Sequence, residues 1–192
     1  MDKKIILASR SKARRSLLKQ IGLEFTVSVP EVRERSDLRS GCAALVKKNA
    51  LLKAEAAAGK FKSGIVIGAD TVVLAGKQII GKPKDKKDAV RTLKLLSQAS
   101  QWVYTGLAII DIESGKTVSA FEKTKIYMMP LKDKQIKKYV EKFSPLDKAG
   151  SFDIQGPGGI FIDRIEGCYF NVVGLPLALL ARLLSGLGVD IF

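Results

Sequence analysis

The sequence predicts a mixed α/β fold. Short β-branched apolar runs alternate with stretches whose apolar residues recur at helical spacing, so strands and helices interleave along the chain. Hairpin signals sit among these strand–helix units, which calls for a mixed sheet rather than a purely parallel one. The length, 192 residues, suits one domain, or two small lobes sharing a sheet.

Lys3 to Ala8 reads as a first strand that runs into Ser9-Arg10-Ser11-Lys12-Ala13-Arg14-Arg15. The spacing of Ala13, Leu17, Leu18 and Ile21 predicts a helix, with Ser11 as its N-cap and Gly22 as its stop. Phe25, Val27 and Val29 alternate as a second strand, and Pro30 opens a polar loop from Glu31 to Asp37. Cys42 to Ala58 is a helix carrying Lys53. Ile65 to Leu74 is a buried strand with Asp70 at its centre, and Ala75-Gly76-Lys77 turns it back into the short strand Gln78–Ile80. A helix follows from Asp85, with Ala89, Val90, Leu93 and Leu96 on one face. Trp102 to Ile112 and Thr117 to Met129 pair through a turn at Glu113–Lys116. Asp133 caps a helix that buries Ile136, Tyr139, Val140 and Phe143. Ile160 to Ile165 and Tyr169 to Val173 read as strands. Pro176 sits at the first turn of a last helix, Leu177 to Ser185, which Gly186 ends.

Composition narrows the chemistry. The chain has no histidine, which excludes a Ser-His-Asp triad, a His general base and the commonest zinc ligands. Any base is then a carboxylate, a lysine or metal-bound water, and any metal a hard cation such as magnesium or manganese held by oxygens. The net charge of +14, from 33 basic and 19 acidic residues, attracts anions such as nucleotides. The two cysteines have no metal-ligand spacing. No apolar run reaches the roughly 20 residues of a membrane span, and the N-terminus is too short for a signal peptide. A cytoplasmic protein is expected.

Asp70 is the first candidate. A lone buried carboxylate is costly unless it is paired, hydrogen-bonded or metal-bound, and such groups are often presented for reaction. The stretch alone equally suits an Asp satisfied by backbone amides. Ser9, Ser11, Arg14 and Arg15 share the strand–helix corner, where free amides, hydroxyls and guanidinium forks suit a polyphosphate. Glu34 lies among arginines, either in solvated ion pairs or as a cation ligand. Gly81 and Pro83 bracket Lys82, which aims its ammonium. The glycine-rich loop Asp147–Gly159 carries Gln155 but matches neither GxxxxGK[ST] nor GxGxxG. One buried acid among many cations, with no histidine, suits phosphoryl chemistry on a nucleotide.

Seven segments resemble the Maf family of nucleoside triphosphate pyrophosphatases, also called septum formation inhibitor proteins. They are Leu7–Leu18, Gly68-Ala-Asp-Thr-Val-Val73, Gly81-Lys-Pro83, Tyr104-Thr-Gly106, Asp147-Lys-Ala-Gly150, Ile154-Gln-Gly156 and Val173-Gly-Leu-Pro-Leu177. They follow the family's order over nearly the whole chain. The resemblance implies a curved mixed sheet with flanking helices, in two lobes around a cleft, related to the inosine-triphosphatase architecture. It implies hydrolysis of a nucleoside triphosphate to the monophosphate and pyrophosphate, with magnesium or manganese. It makes Asp70 the proton acceptor and gives Ser9, Arg14, Arg15, Lys53 and Lys82 phosphate and catalytic contacts. Glu34 becomes metal-linked, and Thr71 and Gln155 select the base. A homodimer is the family's common habit.

Two positions depart from the pattern. The dTTP/UTP subgroup's Ser-x-Ser-Pro-Arg-Arg places its first Arg on Ala13, and the 7-methyl-GTP subgroup's Trp also falls there. Thr71 and Gln155 nevertheless resemble the dTTP/UTP pattern. Where the family often has Asp-Glu after its second strand, this chain has Arg33-Glu34. The alternative is a regulatory cell-division protein that binds a partner or nucleic acid. The chain carries no RNA-binding aromatic motif and no zinc finger, which speaks against nucleic acid.

Overall fold

The computed structural model describes residues 3–36 and 40–191. The end of the polar loop, Asp37, lies outside the described residues. Seven strands form one mixed sheet flanked by helices, in the order β2-β1-β3-β5-β6-β7, with β4 paired to β3. They are β1 (Ile5–Ala8), β2 (Thr26–Val27), β3 (Ile65–Ala75), β4 (Gln78–Ile80), β5 (Gln101–Asp111), β6 (Thr117–Met128) and β7 (Ile162–Glu166). β1 runs parallel to β2 and β3, whereas β3–β4 and β6–β7 are antiparallel. The connections account for part of the mixture: the crossover through α1 (Lys12–Gln20) permits the parallel β1–β2 pairing, and the tight turn between Ala75 and Gln78 forces the antiparallel β3–β4 pairing.

The chain divides into two compact units. The first comprises Met1–Asp70, Thr105–Glu122 and Gly174–Phe192. Its helices are α1 (Lys12–Gln20), α2 (Gly41–Ala58) and, near the end of the chain, α6 (Leu177–Ser185). The Ser11 side chain accepts from the Arg14 amide and caps α1, as its position predicts. Small residues of α2, Ala50, Ala54 and Ala57, pack on Ile6, Ala8, Val66 and Ala108 of the sheet. This contact is unusually close because of two glycines. A Cβ at Gly106 would overlap the Val46 backbone and sit 2.6 Å from Lys47 N, and one at Gly68 would sit 2.9 Å from Ala54 N. Helix α2 therefore rests almost directly on the β3 and β5 backbones.

The second unit comprises Thr71–Tyr104 and Lys123–Val173. It holds α3 (Lys86–Leu96), α4 (Asp133–Phe143) and the five-residue α5 (Tyr169–Val173). Leu93, Leu96, Ile136, Tyr139, Val140 and Phe161 form its buried core.

Three expectations are corrected. Tyr169–Val173 is helical rather than extended. Its Asn171 is fully buried and donates from Nδ2 to Val103 O at 3.0 Å and to Thr124 Oγ1 at 2.9 Å. This tertiary anchor overrides the β-propensity of Tyr, Phe and Val. Asp133 is the first residue of α4, and Lys132 is its N-cap. The second strand is only two residues long, with Val27 and Val29 each about two-fifths exposed, so little burial holds it.

Candidate active site

The first unit assembles five of the expected residues. Strand β3 delivers Asp70, 4% exposed, at the point where its apolar run meets α2. Lys53 Nζ donates to Asp70 Oδ1 at 2.7 Å and lies 2.9 Å from Glu34 Oε1. The two ion pairs differ in kind. Lys53 and Asp70 are both largely buried, whereas the Glu34 side chain is 55% exposed. The first resists screening and the second does not.

Ser9 and Arg14 complete the cluster. Arg14 is buried, with Nη1 donating to Ser9 Oγ at 3.2 Å and to Ala69 O at 2.9 Å, and Nε donating to Gly174 O at 2.8 Å. Lys53 Nζ also reaches the Ala69 carbonyl, at 3.4 Å. Two cations thus converge on the peptide just before Asp70. Burial pulls the Arg14 guanidinium below its ordinary value, and the charges of Asp70 and Glu34 oppose that pull. Arginine remains charged under such shifts.

Arg15 is placed differently. One residue along a helix is a turn of about 100°, so Arg14 and Arg15 cannot face the same way. Arg15 Nη2 reaches Arg10 O at 3.5 Å, at the surface. With Lys12, Lys19, Leu23, Phe25 and Val27 it lines an open depression of about 840 Å³, whose walls include neither Asp70 nor Lys53. Ala13 is half-buried on α1.

Thr71, Lys82 and Gln155 belong to the second unit. Lys82 and Gln155 are exposed, and Thr71 is half-buried. Gly150 N donates to Gly81 O at 3.1 Å, which ties the Asp147–Gly150 segment to the loop carrying Lys82. Within the glycine-rich loop, Lys148 lies 3.1 Å from Asp153 Oδ2 and 3.6 Å from Asp147 Oδ2. Burial lowers the Lys148 ammonium, but its bonds to Asp153 and Asp147 outweigh this and leave it raised.

The sequence reading missed Asn49. It is 1% exposed and donates from Nδ2 to Asp70 Oδ2 at 3.0 Å. The signal was its spacing: Asn49 and Lys53 are i and i+4, and therefore share one face of α2.

Among the described residues, no group of three or more Cys, Asp or Glu side chains forms a metal cage. Glu34 and Asp70 supply oxygen donors only, which fits a hard cation. Magnesium is commonly held by one or two carboxylates together with substrate phosphates. No described helix is long and apolar enough to cross a membrane.

Comparison with known proteins identifies the family. A family model described as Maf-like protein matches residues 4–187. A dTTP/UTP pyrophosphatase of Dictyoglomus turgidum is 42% identical over 192 residues, covering all of both chains. One from Desulforamulus reducens is 46% identical over 187 residues, covering 97% of this chain and 98% of that protein. One from Acetivibrio thermocellus is 45% identical, covering 98% and 97% respectively. Matched over nearly its whole length, the chain belongs to the Maf family.

Proposed function

We propose that the protein is a cytoplasmic nucleoside triphosphate pyrophosphatase that converts dTTP, UTP or modified nucleotides to the monophosphate and pyrophosphate. The observation that carries the reading is Asp70, a buried carboxylate held from two sides and set among the cations Lys53 and Arg14. A water oxygen attacks the α-phosphorus, its proton passes to Asp70, and the bond to the β-phosphate oxygen breaks, releasing pyrophosphate. Ser9, Arg14, Lys53 and Lys82 contact the phosphates and offset their charge as the transition state forms. Thr71 and Gln155 select the base, and Ala13 leaves room where relatives of the subgroup carry a larger side chain. Glu34, together with the triphosphate oxygens, would hold a magnesium or manganese ion. Such an ion, when bound, offsets charge on the phosphates.

The test is pyrophosphate release from a panel of natural and modified nucleoside triphosphates, with magnesium and with manganese. Release of pyrophosphate and monophosphate, lost in Asp70→Asn, is the expected result. A folded protein that binds nucleotides but cleaves none would overturn the proposal in favour of a regulatory binding role.

A further inference from the structure

Asn49 makes three hydrogen bonds with its side chain. Oδ1 accepts from Arg35 N at 2.8 Å, and Nδ2 donates to Arg35 O at 3.0 Å and to Asp70 Oδ2 at 3.0 Å. The orientation of the amide is fixed by its partners, because an ionised carboxylate only accepts and a backbone N–H only donates. Both amide hydrogens are used. Arg35 directly follows Glu34, so one buried side chain joins the loop carrying Glu34 to the carboxylate of Asp70.

Lys53 alone does not fix that carboxylate. The torsion that rotates an Asp carboxylate is broad, and an ammonium on a four-carbon stem is a point charge with rotatable donors. A planar amide pinned at two points to the backbone of Arg35 defines a direction. With Lys53 on Oδ1 and Asn49 on Oδ2, each Asp70 oxygen has a donor from the same face of α2.

We propose that Asn49 is a positioning residue for the hydrolytic reaction: it sets the rotation of the Asp70 carboxylate and holds the Glu34 loop in register with it. The inference rests on the proton-accepting role of Asp70 proposed above. Asn49 itself touches no reacting atom. Its effect reaches the chemistry only through Asp70 and the backbone beside Glu34.

The experiment is a double-mutant cycle with steady-state pyrophosphate release from dTTP as the readout. It uses wild type, Asn49→Ala, Asp70→Asn and the double variant. Outer-shell partners of this kind typically cost 10–100-fold when removed. Asn49→Ala is therefore expected to lower kcat by roughly 10–100-fold while KM stays within about threefold. On the Asp70→Asn background the same change should cost almost nothing further, because the group it positions is gone. A purely structural role would lower activity by a similar factor in both backgrounds, and that result would overturn the inference, as would wild-type kcat in Asn49→Ala. Where Asn49→Ala does not fold, Asn49→Gln keeps the amide but displaces it by one methylene, and the same non-additivity is expected. A wild type that cleaves no triphosphate would overturn the activity reading and this inference together. Active wild type with additive losses overturns this inference alone.

Discussion

Gly68 and the Ala50 carbonyl lie so close that no side chain fits between them: a Cβ on Gly68 would overlap the Ala50 oxygen and stand 2.9 Å from the Ala54 Cβ. The separation of α2 from β3 is thereby set by the absence of an atom. Asn49 and Lys53 reach Asp70 only because the helix lies this close. Gly68→Ala is expected to push α2 outward, costing about 1–3 kcal/mol as other overpacked sites do. Denaturant midpoints measure the loss, and pyrophosphate release should fall with it. An unchanged midpoint would show that α2 accommodates the methyl group without moving.

Lys53 bridges two carboxylates of unequal burial, and the two bridges should differ in worth. Lys53→Met leaves Asp70 as a buried charge with a single amide donor, the kind of broken pair that costs about 3–5 kcal/mol. Glu34→Gln removes a partner at the surface, where ion pairs contribute about 0–1 kcal/mol. Thermal unfolding of both variants compares them. Equal losses would contradict the burial argument.

Asp70→Asn is nearly isosteric and keeps an acceptor for Lys53. It removes the basic oxygen. Loss of general-base help should lower kcat by roughly 10²–10⁴-fold while nucleotide binding, measured calorimetrically, largely survives. Turnover like that of wild type would remove Asp70 from the chemistry.

Asp111 sets a pH dependence of stability away from the site. It is 2% exposed, accepts from Lys3 Nζ at 2.7 Å and from Ser114 Oγ at 2.6 Å, and these bonds hold its carboxyl down to about 2. In the unfolded chain an Asp titrates near 3.9. The folded state therefore binds the proton less readily. The stabilisation is complete above the unfolded value and is lost as pH falls from about 5 toward 2. Asp111→Asn is expected to lower stability by about 1.5 kcal/mol at neutral pH, the lower range for a charged hydrogen bond, and to flatten the acid limb of Tm against pH. A wild-type acid limb in that variant would assign the slope to other carboxylates.

The sheet and most helices were legible because their apolar periodicities are long. Leu177–Ser185 agrees residue for residue, and Asp85 and Ser11 cap the helices they precede. Tyr169–Val173 misled because five residues carry too little pattern to outweigh one buried Asn171 anchored on β5 and β6. At the site, Asp70 stood out as an acid in an apolar run and Glu34 as a carboxylate among arginines, while the family resemblance gave Lys53 its phosphate or catalytic contact. Asn49 was hidden because its i, i+4 spacing from Lys53 carries meaning only once that face of α2 is known to meet Asp70. Arg14 and Arg15 looked equivalent as neighbours, and only the helical turn between them sends one inward and the other out.

Arg14 donates to chain positions that lie 5, 55 and 160 residues away from it in sequence. The most distant, Gly174, begins the last segment of the first unit, reached only after the chain has run through all of the second. During synthesis, β1 and α1 emerge early but Arg14 must wait for its last acceptor until the ribosome has made almost the entire protein. Contacts of such long sequence separation form late and slow the approach to the native state. The cluster around Asp70 is therefore closed by one of the final events of folding, so a nascent chain stalled before Gly174 would carry every acidic residue of the site and still lack its finished arrangement.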